Sequence, residues 1–262
     1  MYEKYQFLTF ARDGKRLTVT LDSPPANTAH PQLHDELSHV FYDIERDPEC
    51  AVVVLTGAGR MFSAGGDFQM MYDATKDPRK LAANCARAPH VINSMIELSK
   101  PLICRMNGHA MGFGATLALM CDVVVAAETA KIADSHVMVG LSAGDGGAII
   151  WPLLVGFATA RFHLLTGEPV TAVQAAAMGL IHKAVPTDQL DAEVDLLVKR
   201  LLGLPAMAVG HTKRSINLLL RQLAGSLPEA HVGLEHLTLT SLDHQEACIA
   251  AIEKRKPEFR GA

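Results

Sequence analysis

The 262-residue sequence contains no CxxC pair: its five cysteines, Cys50, Cys85, Cys104, Cys121 and Cys248, are scattered, and three lie in or beside apolar runs. They read as buried free thiols of a reducing compartment, not as a disulfide framework. Nor do the twelve histidines supply a metal pattern. No HxxxH pair with a partner carboxylate stands out, and His30, His34 and His39 lie around one helix without sharing a face, so no metal is expected. Basic and acidic residues number 24 and 28, a net charge of -4, with no long run of either sign, which argues against a broad nucleic-acid surface. No apolar run is read as long enough to cross a membrane, and Met1-Tyr2-Glu3-Lys4-Tyr5 is not a basic lead into an apolar signal core. The expectation is a cytoplasmic protein with no membrane partner. Repeats of solenoid period and low-complexity tracts are also missing.

Two nucleotide motifs fail on single residues. Gly57-Ala58-Gly59 follows a strand-like run, but Phe62 stands where a dinucleotide-binding turn needs its third glycine, and no Walker lysine and hydroxyl follow Gly59-Arg60.

With 49% hydrophobic and 20% charged residues, the chain is long enough to fold around a sizeable core. Residues 17–21 alternate apolar and polar, as a strand covered on one face does, and Ser23-Pro24-Pro25 ends them. Leu33, Leu37, Phe41 and Ile44 recur at helical spacing, closed by Asp47-Pro48. Residues 52–55 and 102–104 are continuous apolar runs, the pattern of strands buried on both faces. Between them Asp77-Pro78 opens a helix with Leu81, Cys85, Ile92 and Ile96 on its apolar side. Residues 114–120 read as a short buried helix and 122–125 as a further strand. Past Gly140 the periodicity is helical at 149–151, 158–165, 172–178, 190–202, 206–223 and 228–253. The first half is thus strand and helix in alternation, and the second half mostly helix.

The two buried strands at 52–55 and 102–104 both run into glycine-rich turns, Arg60-Met61-Phe62-Ser63-Ala64-Gly65-Gly66-Asp67 and Asn107-Gly108-His109-Ala110-Met111-Gly112-Phe113-Gly114. Small residues at a strand-to-helix turn let a ligand approach the main chain, and free N–H groups at a helix start can hold a polarised oxygen. An oxyanion hole assembled from both turns is the hypothesis these residues support. Two further positions stand out: His136 in Asp134-Ser135-His136, and Asp145 among the glycines Gly144-Asp145-Gly146-Gly147. The bland readings are a hydrogen-bonded histidine and a helix N-cap.

Met61-Phe62-Ser63-Ala64-Gly65-Gly66-Asp67, with residues 107–122 and the ending Glu253-Lys254-Arg255-Lys256-Pro257-Glu258-Phe259, resembles the crotonase (enoyl-CoA hydratase/isomerase) superfamily over nearly the whole chain. The resemblance implies an α/β fold: a spiral of ββα units over residues 1–200, then a helical trimerisation region over 201–262, assembled as a homotrimer or a dimer of trimers. It implies an acyl-CoA substrate and no separate cofactor. By position in the motifs the oxyanion N–H groups fall on Gly66 and Phe113, and Ala26, Ala64, Gly65, Asp67, Gly112, Thr116, Lys254 and Phe259 are expected to contact substrate or CoA. The entry loop Pro24-Pro25-Ala26-Asn27 lacks the basic residue many hydratases use on a CoA phosphate, a gap that Lys254 and Lys256 are placed to fill.

The departures bear most on function. Where hydratases of this family carry two glutamates, this chain has Thr116 and His136. His136 with Asp145 offers a replacement acid–base pair, and with His34 these positions are similar to the superfamily's β-diketone hydrolases, which cleave carbon–carbon bonds by a retro-Claisen route. The stretch from Asp145 through Ile149-Ile150-Trp151-Pro152 resembles that branch as well. The expected activity is that of an enoyl-CoA hydratase/isomerase-type lyase that stabilises a thioester enolate. The alternatives are a β-diketone or thioester hydrolase using His136 and Asp145, and a non-catalytic acyl-CoA-binding subunit.

Overall fold

The computed structural model describes residues 1–225 and 230–261, without side chains at positions 78, 81, 82 and 84–86. Its first element is an antiparallel hairpin of β1 (Leu8–Asp13) and β2 (Arg16–Leu21), turned at Gly14 with φ 54°. Leu17, Val19 and Leu21 point into the core, as their alternation predicts, whereas β1 is an edge strand in which only Leu8 is fully buried. That exposure is why β1 carries no clear period in the sequence. The helix α1 (Pro31–Arg46) starts with proline in its first turn and buries Leu33, Leu37, Phe41 and Ile44.

All six residues of β3 (Val52–Gly57) are buried. The short α2 (Phe68–Thr75) follows the first glycine turn, and α3 (Pro78–Glu97) is capped by Asp77. Ile92 and Ile96 of α3 are buried; Leu81 and Cys85 lie outside the residues whose side chains are described. Then come β4 (Leu102–Met106), β5 (Ala110–Met111), the fully buried α4 (Phe113–Leu119), β6 (Val123–Ala127) and β7 (Lys131–Ala133). A 3₁₀ turn, His136–Val139, leads to α5 (Gly147–Thr166), β8 (Val170–Thr171), α6 (Ala172–Ala177), β9 (Lys183–Val185) and α7 (Leu190–Leu202). Among the described residues the chain ends in α8 (Ala206–Ala224), α9 (Val232–Leu239) and α10 (Leu242–Ile252).

The larger sheet has the order β1-β2-β3-β4-β6-β9, parallel from β2 onward, and β5-β7-β8 form a smaller one. Successive units place one strand in each sheet, β4 with β5 and β6 with β7, which is the ββα spiral. Side-chain alternation explains the continuous apolar runs. Val53, Leu55, Leu102 and Cys104 join the main core with Phe41, Phe62 and Trp151, while Val52, Val54 and Ile103 face Leu190, Val194 and Val198 of α7 on the other side.

Two expectations are corrected. By length and composition α5 does reach what a membrane span requires. It is, however, broken at Gly156 (φ 74°, ψ 163°), and Ile149, Ile150 and Trp151 in its first half are buried in the protein core. The reading of one helix over 228–253 also changes. Pro228 lies outside the described residues, and the chain breaks between α9 and α10, where the Ser241 hydroxyl caps the new helix by accepting from His244 N (3.1 Å). The break lets α10 fold back against α2 and the 3₁₀ turn.

Candidate active site

Two asparagine side chains, the buried Asn27 and the partly exposed Asn107, brace the glycine turns. Asn27 Nδ2 donates to Ala58 O (2.9 Å) and Met61 O (3.0 Å), while Asn107 accepts from Gly57 N (3.0 Å) and donates to Gly59 O (3.0 Å). The backbones then touch. A Cβ on Gly108 would fall 1.8 Å from Arg60 O, and one on Gly65, at φ 85°, would fall 2.6 Å from Met111 O. Main-chain bonds complete the join: Met111 N donates to Ser63 O (3.0 Å) and Gly112 N to Ala133 O (2.8 Å). Gly66 N and Phe113 N donate to no other group among the described residues, and both residues line one cavity of about 110 Å³.

His136 enters this cavity from the 3₁₀ turn, held between two carboxylates. Its Nδ1 lies 2.6 Å from Asp134 Oδ1 and its Nε2 3.1 Å from Asp145 Oδ2. Asp145 Oδ1 accepts from the Thr116 hydroxyl at 3.0 Å, so Thr116 meets the cavity through Asp145. Asp145 is not an N-cap: α5 is capped at Gly146 with no side-chain bond. Burial alone would lower the pKa of His136, but Asp145 and Asp134 outweigh it and hold the imidazolium well above the ordinary histidine value. Burial likewise opposes ionisation of Asp145, yet the His136 charge and the bonds from His136 and Thr116 keep its pKa below the usual carboxylate value. The ligand atoms of Asp134, His136 and Asp145 lie within 4.8 Å of one another. The carboxylates sit on opposite ring nitrogens, so the protonated ring itself is the cation between them; a metal ion would have to displace that proton.

His34 completes one wall. Its ring stacks on Phe113 with centroids 4.3 Å apart, and its buried Nδ1 has no partner among the described residues. Burial pushes its pKa down to about 4 against the pull of Asp145, so it is neutral at neutral pH. The opposite wall comes from α9, which supplies Glu235. Burial first, then the Asp145 charge, lift the Glu235 pKa to about 8, with His136 pulling the other way. Glu235 is therefore a protonated carboxylic acid at neutral pH. Its helix lies directly on the loop before α5: a Cβ on Gly144 would fall 2.5 Å from His231 O and 2.6 Å from Glu235 Cβ. The 3₁₀ turn is fixed from the same side, where His244 Nδ1 donates to Val139 O at 2.7 Å.

Not every expected residue meets here. Ala64, Gly66, Gly112, Phe113, His34, His136 and Asp145 line the cavity. Gly65 supports the turn from behind, and Ala26 accepts from Ala64 N (3.0 Å). The Asp67 carboxylate caps α2 by accepting from Met70 N at 2.7 Å. Lys254 and Phe259 are exposed beyond α10 and do not line the cavity. No sequence pattern marks Asp134 or Glu235: Asp134 stands two residues before His136, and Glu235 sits in a helix with no local motif.

A profile of the enoyl-CoA hydratase/isomerase family matches residues 15–262. The chain belongs to that family. A 2,3-dehydroadipyl-CoA hydratase of Escherichia coli is 34% identical over 97% of this chain and 98% of its own length. Among solved structures, an enoyl-CoA hydratase/isomerase from Mycobacterium paratuberculosis aligns with a TM-score of 0.90 at 31% identity, covering 95% of this chain and 99% of the other. A beta-diketone hydrolase from the cyanobacterium Anabaena sp., solved with (S)-3-oxocyclohexyl acetic acid, aligns at 0.83 and 29% identity, covering 91% and 96%. The enoyl-CoA hydratase/isomerase fold thus frames a cavity whose lining includes His34, His136, Asp145 and Glu235, with Asp134 bonded to Nδ1 of His136.

Proposed function

We propose that this family member hydrolyses a carbon–carbon bond between two carbonyl groups, a retro-Claisen cleavage of a 1,3-diketone. The observation that carries the reading is the Asp134–His136–Asp145–Thr116 chain, an acid–base unit centred on histidine. A pair of carboxylates serves hydration of a double bond, one on water and one on carbon, whereas an imidazole held by a carboxylate suits activation of water at a carbonyl. Neutral His136 Nε2 takes a proton from water as the oxygen adds to one carbonyl carbon. The oxygen that becomes negative is received by Gly66 N–H and Phe113 N–H, donors of a kind each worth on the order of 10²–10³ in rate. Collapse restores a carboxylic acid and breaks the carbon–carbon bond, its electron pair leaving as the enolate of the second carbonyl. Glu235, protonated in the resting site, gives that carbon its proton. The proton taken up by His136 then restores Glu235, so the cycle consumes water and substrate alone and takes no cofactor.

A second reading, hydration or isomerisation of an acyl-CoA thioester, is favoured by the 34% identity to the E. coli hydratase and uses the same pair of N–H groups. Turnover of cyclic and linear 1,3-diketones beside a series of enoyl-CoA thioesters decides between them. Cleavage of a cyclic diketone to a keto acid, or of a linear one to an acid and a ketone, without activity on thioesters, supports the first reading. Water addition to an enoyl-CoA, without diketone cleavage, overturns it.

A further inference from the structure

Two buried groups of α10, His244 and Cys248, have no part in the chemistry described above, and neither has any exposed surface. They lie behind the 3₁₀ turn that carries His136. The last carbonyl of that turn, Val139 O, receives no main-chain N–H among the described residues. Ser142 N, three residues on, donates instead to the Thr238 hydroxyl of α9 at 3.1 Å. A carbonyl covered by another helix needs its donor from that helix or from water. His244 Nδ1 supplies it at 2.7 Å.

The contact also fixes the tautomer. A carbonyl oxygen only accepts, so the proton of the neutral ring sits on Nδ1 and Nε2 is a bare acceptor. Cys248 Sγ lies 3.5 Å from that Nε2, and burial pushes the thiol up to about 12, so its S–H is present to donate. Burial, opposed by the bond to Val139 and helped by the His136 charge, holds the His244 pKa below the ordinary histidine value. The packing leaves little slack. Gly140, at φ 70°, ends the turn against the start of α10, where an added Cβ would fall 2.9 Å from His244 N.

We propose that His244 is a positioning residue of the active site: through Val139 it holds the 3₁₀ turn, and with it the His136 ring, in register with Asp134 and Asp145, while Cys248 locks the His244 tautomer that does so. The inference rests on the proposed function only in taking His136 as the acid–base group. His244 and Cys248 are not among the residues lining the cavity, so their effect runs through the turn. Asp134 precedes the turn and Asp145 follows it, so a shift of the turn alters both ring contacts, 2.6 Å and 3.1 Å, at once.

Isotope-edited NMR of labelled histidines in the whole protein tests this, with the His136 and His244 signals assigned by their loss in His136→Ala and His244→Asn. At neutral pH His244 is expected to be uncharged with its proton on Nδ1; a proton on Nε2, or a cation, overturns the proposal. His244→Leu removes the donor. It is expected to lower the midpoint of the His136 titration by about one pH unit and kcat by roughly tenfold or more, with KM changed far less. His244→Asn, whose amide N–H falls where Nδ1 stood, should restore most of both. A lower Tm in His244→Leu with the His136 midpoint in place, or an Asn variant as impaired as the Leu variant, overturns the positioning role. If His244→Leu does not fold, the tautomer and an unmoved midpoint in His244→Asn still decide. The NMR readout needs no substrate. If no diketone is cleaved while the midpoint moves as expected, the reaction falls and the positioning role stands; if diketones are cleaved and the midpoint does not move, the positioning role alone falls.

Discussion

Nε2 of His136 lies 3.1 Å from Oδ2 of Asp145, a contact available because Asp145 leaves the capping of α5 to the backbone of Gly146. The other carboxylate oxygen is held by Thr116, so the aspartate is oriented from both sides. Asp145→Asn keeps the shape and loses the charge. It is expected to leave the fold intact and lower kcat by about 10²-fold or more, the usual scale of a lost acid–base group. His136→Ala and the double variant complete the cycle on one confirmed substrate. A working unit gives non-additive losses; independent or negligible effects would return Asp145 to a structural role.

The pH profile follows from opposed protonation demands. His136 acts as a base only after losing the proton that its two carboxylates stabilise, so kcat/KM should rise as pH climbs above the ordinary histidine range. Glu235 acts as an acid only while protonated, so activity should fall as pH passes about 8. The expected result is a bell with an alkaline optimum, and Glu235→Gln should abolish its descending limb along with most activity. Stability moves in the same sense. Unfolded glutamate ionises above its ordinary value of 4.5, whereas folded Glu235 holds its proton to about 8, so across that window ionisation favours unfolding. Glu235→Gln should raise Tm at pH 8 and leave it nearly unchanged at pH 4. For His136 the sign is opposite to that of a buried neutral histidine: its raised pKa contributes stability that is full below the ordinary value of 6.5 and lost as pH rises through the folded pKa.

These relationships divide by how far apart in sequence their parts lie. The strands β2, β3 and β4 and the helix α1 are legible because each carries its own period, and the glycine turns because each joins a buried strand to a helix. His136 and Asp145 were singled out within one short segment. Asp134 is two residues from His136, but its role depends on the 3₁₀ turn bending the ring back over it, which no spacing rule states. Glu235 reaches the cavity only because α9 lies over the loop at Gly144, far away in sequence. A burial-driven pKa near 8 is a property of that tertiary contact, and Leu234-Glu235-His236 reads as an ordinary helix surface. The kink at Gly156 was equally hidden, since glycine inside an apolar helix gives no sign of which φ it adopts.

Assembly is testable from the surface. Phe157 on α5 is 68% exposed and Leu219 on α8 is 69% exposed, with Ile216 and Leu218 beside it and Leu234 and Leu237 on α9. A chain that assembles is expected to present apolar side chains of this size in such numbers. Light scattering is expected to give three or six times the chain mass at micromolar concentration. Leu219→Glu should shift the distribution toward smaller species. A monomer in the unaltered protein would refute the assembly.

The place of α9 over the active site rests on a glycine, and that dependence separates a positional role for the loop from a general loss of stability. A Cβ at residue 144 would meet His231 O at 2.5 Å and Glu235 Cβ at 2.6 Å, both on or next to the helix carrying the acid. Gly144→Ala therefore has to push α9 outward, because the loop beneath is fixed through Asp145 to His136 and Thr116. The expected outcome is a drop in kcat with the descending limb of the pH profile moved toward the ordinary glutamate range, since a displaced Glu235 regains solvent. Gly233→Ala on the same helix is the control: nothing among the described residues lies within 4 Å of its added Cβ, and alanine in a helix stabilises by roughly 0.5–1 kcal/mol over glycine. That variant should keep both the activity and the pH profile. If Gly144→Ala lowers Tm but leaves the pH profile in place, Glu235 is not the group that titrates, and the acid must be sought elsewhere in the cavity.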